Sequence, residues 1–171
     1  MDIMQFRNKL GAGGARPNQF MVLLNFPAET GIASDDTSLL VSAAALPASN
    51  VNPAIVMYRG REVKFAGERT FDPWTITVLN DTTMKLRQAF ERWSDLMNNR
   101  IDNSGEVIPN FYMATLHVQQ LDRNEELIRN YNIFNAFPIT VSEVGLSYAA
   151  NDVISEFNLT FQYSHIEVNP V

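Results

Sequence analysis

Cysteine is absent from all 171 residues, so the chain has no thiol nucleophile, no thiolate metal site and no disulfide frame. Histidine is scarce. His117 and His165 are the only side chains whose ordinary pKa suits a near-neutral base, and no motif that supplies a nucleophile stands beside either. The patterns Gly-x-Ser-x-Gly, His-Glu-x-x-His and Gly-x-Gly-x-x-Gly are missing, so we expect no enzyme, no cofactor and no metal. Positive charge is also short: 13 lysines and arginines stand against 19 acids, for a net charge of −6. Affinity for nucleic acid rests largely on cations at phosphates, so this scattered minority argues against a DNA-binding module. Long apolar runs fall short of the roughly 20 residues of a membrane helix. Met1 to Leu10 lacks the charged start and unbroken apolar stretch of a signal peptide. We therefore expect a soluble chain, cytoplasmic at synthesis.

What is present is a generous supply of core. The chain is 46% hydrophobic with eleven phenylalanines, and a single domain of this size buries about 70% of its unfolded surface without staples. Some apolar surface is expected to meet other copies of the chain. The stretch Glu68 to Asp81 organises the reading. Trp74, Ile76 and Val78 alternate with Thr75, Thr77 and Leu79, the period of a half-buried strand. Asp72-Pro73 starts that strand, because proline is tolerated at a strand's first position. Asp81 is the expected N-cap of a helix over 82–98, whose stripe is Leu86, Ala89, Phe90, Trp93, Leu96 and Met97.

Along the chain, residues 1–18 read as a flexible N-terminal arm with one amphipathic turn through Met4, Phe6 and Leu10, and 19–171 as one β domain. Gly11 to Gly14 ends the arm's order and lacks the context of a phosphate loop. Strands are expected at Gln19–Phe26, Leu39–Ala45, Phe111–Leu121, Leu127–Phe134, Thr140–Tyr148 and Ile154–Ile166, with Phe137-Pro138 leading into the fifth of these. In the last, Phe157, Leu159, Phe161 and Tyr163 alternate with Asn158, Thr160, Gln162 and Ser164. Residues 49–66 read as a projecting hairpin turning at Tyr58-Arg59-Gly60-Arg61, with Ile55, Met57 and Tyr58 exposed unless it docks on a neighbour or folds back on its own domain. Asp35-Asp36 and Glu125-Glu126 read as solvated loop acids, since no third ligand is near. Trp93 reads as core. Residues alone give a β domain with one packed helix.

Arg16-Pro17-Asn18, Ala45-Leu46-Pro47, the run Ala66-Gly67-Glu68-Arg69-Thr70-Phe71-Asp72-Pro73-Trp74-Thr75-Ile76-Thr77-Val78, the helix after Asp81 with Phe90 and Trp93, Phe137-Pro138 and the closing alternating strand occur in one order. In that combination the sequence resembles the tail tube proteins of contractile-tailed bacteriophages, which are similar in fold to type VI secretion and R-type pyocin tube subunits. The resemblance implies a mainly β fold: two packed antiparallel sheets forming a barrel-like sandwich with one flanking α-helix. It also implies hexameric rings stacked head to tail inside a sheath, built from a baseplate tube initiator, with tape-measure protein and then DNA in the bore and no specific DNA binding. The virion tail tube is the implied location. Arg16, Pro17, Asn18, Ile55, Met57, Tyr58, Arg59, Arg61 and Arg69 are the candidate inter-subunit contacts. Alternatives are a secretion-system or pyocin-like tube that carries no DNA, a baseplate-end initiator, and a monomeric β-sandwich that binds a small ligand, in which aromatics gather in one concave site.

Overall fold

The computed structural model describes residues 2–11, 14–31 and 38–170. Among these residues nine strands carry the fold: β1 Phe20–Leu23, β2 Val41–Ala44, β3 Asn50–Tyr58, β4 Arg61–Thr70, β5 Trp74–Leu79, β6 Ala114–Leu121, β7 Leu127–Val141, β8 Glu156–Gln162 and β9 His165–Pro170. Three helices accompany them: α1 Ile3–Leu10, α2 Lys85–Met97 and the single turn α3 Pro109–Tyr112. The protein is mainly β and sandwich-like, and the hydrogen-bonded path β1-β6-β7-β8-β5-β2 is open, not a closed barrel.

β7 joins the two layers. Its first part pairs with β6 on one side and β9 on the other, whereas Phe137–Val141 pairs with β8. A 15-residue strand serves both layers only if it bends. Asn135 takes a left-handed φ of 54°, and the pairing slips between Pro138 and Thr140. Such irregularities turn a strand from one sheet into another at a sandwich corner. We call β1-β6-β7-β9 the first sheet and β2-β5-β8-β7 the second.

The inner faces follow the two-residue period. Val22, Leu116, Val118 and Ile133 from the first sheet meet Trp74, Ile76, Val78, Phe157, Leu159 and Phe161 from the second in one cluster. α2 closes that cluster with Leu86, Ala89, Phe90 and Trp93, all buried, while Leu96 and Met97 of the expected stripe are half-buried. Phe90 lies 5.0 Å from Phe26 and 5.9 Å from Phe161, centroid to centroid. Trp93 lies 5.6 Å from Phe26. Such pairs add about 0.5–1.5 kcal/mol each beyond area burial. The Trp93 indole N–H donates to the Tyr112 carbonyl at 2.6 Å, so its one polar atom is satisfied inside the core. Arg87 pins the helix from outside: it pairs with Glu91 at 2.9 Å, donates to the Ser142 carbonyl at 3.1 Å and lies over the Phe157 ring.

Several expected boundaries move, each for a local reason. α2 begins at Lys85 and its capping position is Met84, in a left-handed conformation; Asp81 instead accepts from the Lys85 N–H at 3.1 Å and from the Thr83 hydroxyl. The Thr83 bond, ahead of the backbone N–H bonds, holds the Asp81 carboxyl below its ordinary pKa. Pro109 opens a helical turn where a strand was expected from Phe111, so β6 starts at Ala114. Pro138 lies within β7, at the register slip where its missing N–H is tolerated, and the strand stops at Val141 instead of spanning Thr140–Tyr148. The expected Ile154–Ile166 strand is two: β8 in the second sheet and β9 in the first, parted at Tyr163-Ser164. The first two strands are shorter than expected, with a 3-10 turn at Ser38–Leu40 ahead of β2.

The loop after α2 folds back on the helix end. Glu106 N–H donates to Leu96 O at 2.9 Å, and a Cβ on Gly105 would collide with the Met97 carbonyl. Gly105→Ala is expected to cost about 1–3 kcal/mol, as overpacking does. Trp93→Ala is expected to cost about 3–5 kcal/mol. Urea unfolding followed by tryptophan fluorescence for the first variant, and by circular dichroism for the second, checks both.

Candidate assembly surfaces

The hairpin β3–β4 is the largest element with no cover of its own. Every residue from Asn50 to Tyr58 and from Arg61 to Thr70 is exposed, although the hairpin carries Val51, Ile55, Val56, Met57, Tyr58, Val63 and Phe65. Its register explains the two faces. Opposed pairs Ala54–Phe65, Val56–Val63 and Tyr58–Arg61 share one face, while Ile55–Lys64 and Met57–Glu62 share the other. The first face is almost wholly apolar. The second mixes two long apolar side chains with the Lys64–Glu62 ion pair at 3.7 Å. At the tip, Arg59 and Gly60 both have positive φ, 46° and 80°, the pairing that a tight two-residue hairpin turn requires. Gly67 sits at the slip between Val51 and Pro53, where a Cβ would stand 2.6 Å from the Asn52 carbonyl oxygen. That slip lets pairing continue to Asn50–Thr70, four residues past the Ala66 limit read from sequence.

An isolated two-stranded ribbon is marginal in water, so the stem matters. Asn50 donates to Asp72 at 2.7 Å, Arg69 to the Ser49 hydroxyl at 2.9 Å, and the Trp74 indole to the Ala45 carbonyl at 2.7 Å. The Tyr163 hydroxyl donates to the Ala48 carbonyl at 3.4 Å, and its ring lies 5.7 Å from Phe71. Burial, with a smaller contribution from the Asp72 charge, pushes the Tyr163 pKa up, so this donor keeps its proton. These bonds set the angle at which the hairpin leaves the Trp74 end of the second sheet.

A second uncovered apolar segment leaves the opposite end of the same sheet. Residues 142–155 join Val141 to Glu156, and Leu146, Tyr148, Val153 and Ile154 are exposed there, Tyr148 completely. Both ends of this loop are fixed: Ser142 N–H donates to Asn158 O, and Asn80 N–H to Ser155 O, each at 2.9 Å. Sequence reading missed it because Val144, Leu146 and Tyr148 keep a two-residue apolar period that no partner strand meets. α1 is the third. Ile3, Phe6 and Leu10 share one side of an eight-residue helix that buries none of its residues, capped by Asp2, where the sequence suggested only a turn.

The residues singled out from the sequence fall in two places. Ile55, Met57, Tyr58, Arg59, Arg61 and Arg69 are together on the hairpin. Arg16, Pro17 and Asn18 lie against the first sheet, where the Gln120 amide donates to the Arg16 carbonyl at 2.8 Å. The structure does not bring the two groups together. His117 bonds through Nδ1 to the Asn132 side chain at 2.7 Å, and His165 stacks on Phe134. Glu125 is a turn residue with φ 63°. Asp35, Asp36, Ala12 and Gly13 lie outside the described residues. Among the described residues no three of His, Asp or Glu are placed to hold a metal, and no helix is long and apolar enough to cross a membrane.

The strands themselves carry a marked charge bias. Arg129 is the single lysine or arginine on β1, β2 and β5 to β9; the other cations sit on helices, loops and the hairpin. The outer face of the second sheet bears hydroxyls and amides bonded to each other, Thr75 with Thr160 at 3.1 Å and Thr77 to Asn158 at 2.9 Å.

Comparison with known proteins bears on these surfaces. The chain is 29% identical over 154 residues to the tail tube protein gp19 of Enterobacteria phage T4, covering 90% of this chain and 91% of that protein. It is 24% identical over 165 residues to the tail tube protein of Serratia phage KSP90, covering 94% and 93%. Its fold is shared, at 12% identity and a TM-score of 0.70, with a chain of the anti-feeding prophage baseplate, covering 93% of this chain and 97% of that one. It is shared also, at 15% identity and a TM-score of 0.63, with a chain of the PVC extracellular contractile injection system sheath–tube complex in its extended state, covering 100% and 99%. The family model for phage tail tube proteins matches residues 15–169, from the approach to β1 through β9, and the chain therefore belongs to that family.

Proposed function

We propose that six copies of this chain close into a ring and that rings stack head to tail into the inner tube of a contractile phage tail. Family membership supports the tube. The observation on the molecule that carries the assembly is the uncovered hairpin: a long ribbon with apolar residues on both faces, held by its stem, has the form of an element that completes its burial on another subunit. A contact repeated head to tail without closing produces a filament. Open sheet edges at β2 and at the Phe137–Val141 end of β7 suit lateral joining within a ring.

The remaining roles follow from the same placement. Arg16, Pro17 and Asn18 with α1, and the hairpin residues Ile55, Met57, Tyr58, Arg59, Arg61 and Arg69, serve as ring-to-ring contacts. The outer face of the second sheet lines the bore, through which the tape-measure protein and then DNA pass. With no cation on β2, β5, β8 or the Phe137–Val141 part of β7, phosphates find nothing to bind on that face, so transit proceeds without adsorption. The sheath surrounds the tube, a baseplate initiator nucleates it, and assembly takes place in the host cytoplasm before the tube becomes part of the virion. The work is structural, with no catalysis. The fold shared with an injection-system sheath–tube chain favours one second reading, a conduit without DNA; the nucleic-acid content of purified particles separates the two.

Purified chain, concentrated and imaged by negative stain, is expected to give rings or rods of one width; a persistent monomer even with baseplates as nuclei counts against the tube. Deleting residues 1–14 is expected to leave a folded subunit that forms no rods, and normal rods would remove α1 from the contact. Thr77→Lys with Thr160→Lys in assembled particles is expected to slow DNA ejection, and an unchanged rate would show that this face lies outside the bore.

A further inference from the structure

Stacking requires a surface on each subunit that receives the hairpin of the next. We propose that this surface is the 142–155 loop of a second copy of this chain; the inference rests on the tube reading above and names the partner of its hairpin.

Placement comes first. The hairpin leaves the second sheet at the Trp74 end of β5, and the loop leaves at the Leu79 end, where Asn80 holds Ser155. The six residues of β5 put these ends roughly 17–20 Å apart. An element at one end and its receiver at the other generate an open repeat, because each docked copy presents a fresh receiver. The other uncovered apolar segments lack this relation. Residues 99–108 follow α2, whose Trp93 stands 6.2 Å from Phe161, and Phe161 pairs with Trp74; that loop therefore lies toward the hairpin's own end. α1 carries Arg7 and Lys9, of the hairpin's own sign.

Chemistry agrees with placement. The hairpin holds Arg59, Arg61, Lys64 and Arg69 against Glu62 and Glu68, a positive element in a chain of net charge −6. Between Val141 and Leu159 the acids are Glu143, Asp152 and Glu156, with no lysine or arginine. The loop thus offers negative charge to a positive tip. It also offers apolar surface to apolar surface: Leu146, Ser147 and Tyr148 line an open concavity, and Tyr58, Met57 and Ile55 stand exposed beside the tip. Apolar anchors ringed by opposite charges make a contact that is both attractive and oriented, since the reversed stacking sets like charges together.

Because the native chain has no cysteine, disulfide trapping is clean. The test uses the full chain carrying Tyr58→Cys and Tyr148→Cys together, oxidised after assembly and run without reductant, with microscopy of the same sample. A ladder from dimer to long oligomers is expected from the double variant, with each single variant staying monomeric. Rods without a ladder overturn this contact and leave the tube intact. Neither rods nor ladder, where the unaltered chain also forms none, overturns the tube reading and this inference with it.

A second arm tests the charges. Arg59→Glu with Arg61→Glu, folded by circular dichroism, is expected to raise the concentration needed for rods about tenfold or more, the scale of like-charge juxtaposition. Adding Glu143→Lys and Asp152→Lys to that chain is expected to bring it back to within about threefold of the native value. Rods at unchanged concentration after the first pair of substitutions, or no recovery after the second, overturn the proposal.

Discussion

The bend in β7 is the constraint on which the other elements depend. One strand must pair with β6 and β9 over its first part and with β8 over its last, so the two layers meet along a covalently continuous corner. Once that corner is made, the inward residues of both layers face each other, and the opening between them is filled by Phe26, Phe90, Trp93 and Phe161. Close-packed aromatic rings of this size leave little freedom in where α2 lies. β5 and β8, which reach the cluster through Trp74 and Phe161, are fixed with it. The rigid part of the molecule is therefore a frame, and its uncovered segments are fittings at defined places on that frame.

Those fittings divide apolar surface between two uses. The core takes alternate residues of β5, β6 and β8 together with the stripe of α2. The hairpin and α1 take none of the core, and the 142–155 loop gives it Val144 while Leu146, Tyr148, Val153 and Ile154 stay in solvent. A chain that spent these residues only on its own stability would fold the hairpin onto the sandwich. Here the stem bonds of Asn50, Arg69, Trp74 and Tyr163 hold it away, at the cost of exposed apolar area in the free subunit.

How much of this was readable from residues depends on which physical signal a segment carries. The α2 stripe and the alternation of Phe157, Leu159 and Phe161 were legible because one face of each is buried in a core made by the rest of the chain. The Tyr58 to Arg61 turn was legible because Gly60 takes positive φ freely between two extended runs, whereas the positive φ of Arg59, 46°, carries no signal in the sequence. The run from Thr140 to Tyr148 misled for the converse reason: its apolar period is real, but periodicity records which side is apolar and not whether a neighbouring strand exists. Asp81 misled by three residues because its carboxylate reaches Lys85 across a turn at Met84. The hairpin's exposure followed from its charged neighbours, whereas the 142–155 surface depends on where β7 stops, which is decided by contacts distant in sequence.

Pro53 and the slip at Gly67 carry a consequence for the pool of unassembled chains. A ribbon with valine, isoleucine and phenylalanine along it is a template on which extended segments of other molecules can zip up indefinitely, the route to fibrous precipitate. Proline removes one donor from that template, the slip breaks its regular rise, and Lys64, Glu62, Glu68 and Arg69 punctuate its length with charge. In the proposed docking the same ribbon takes a shaped, finite seat, and its resistance to open-ended zippering keeps a sticky part in solution until that seat is offered.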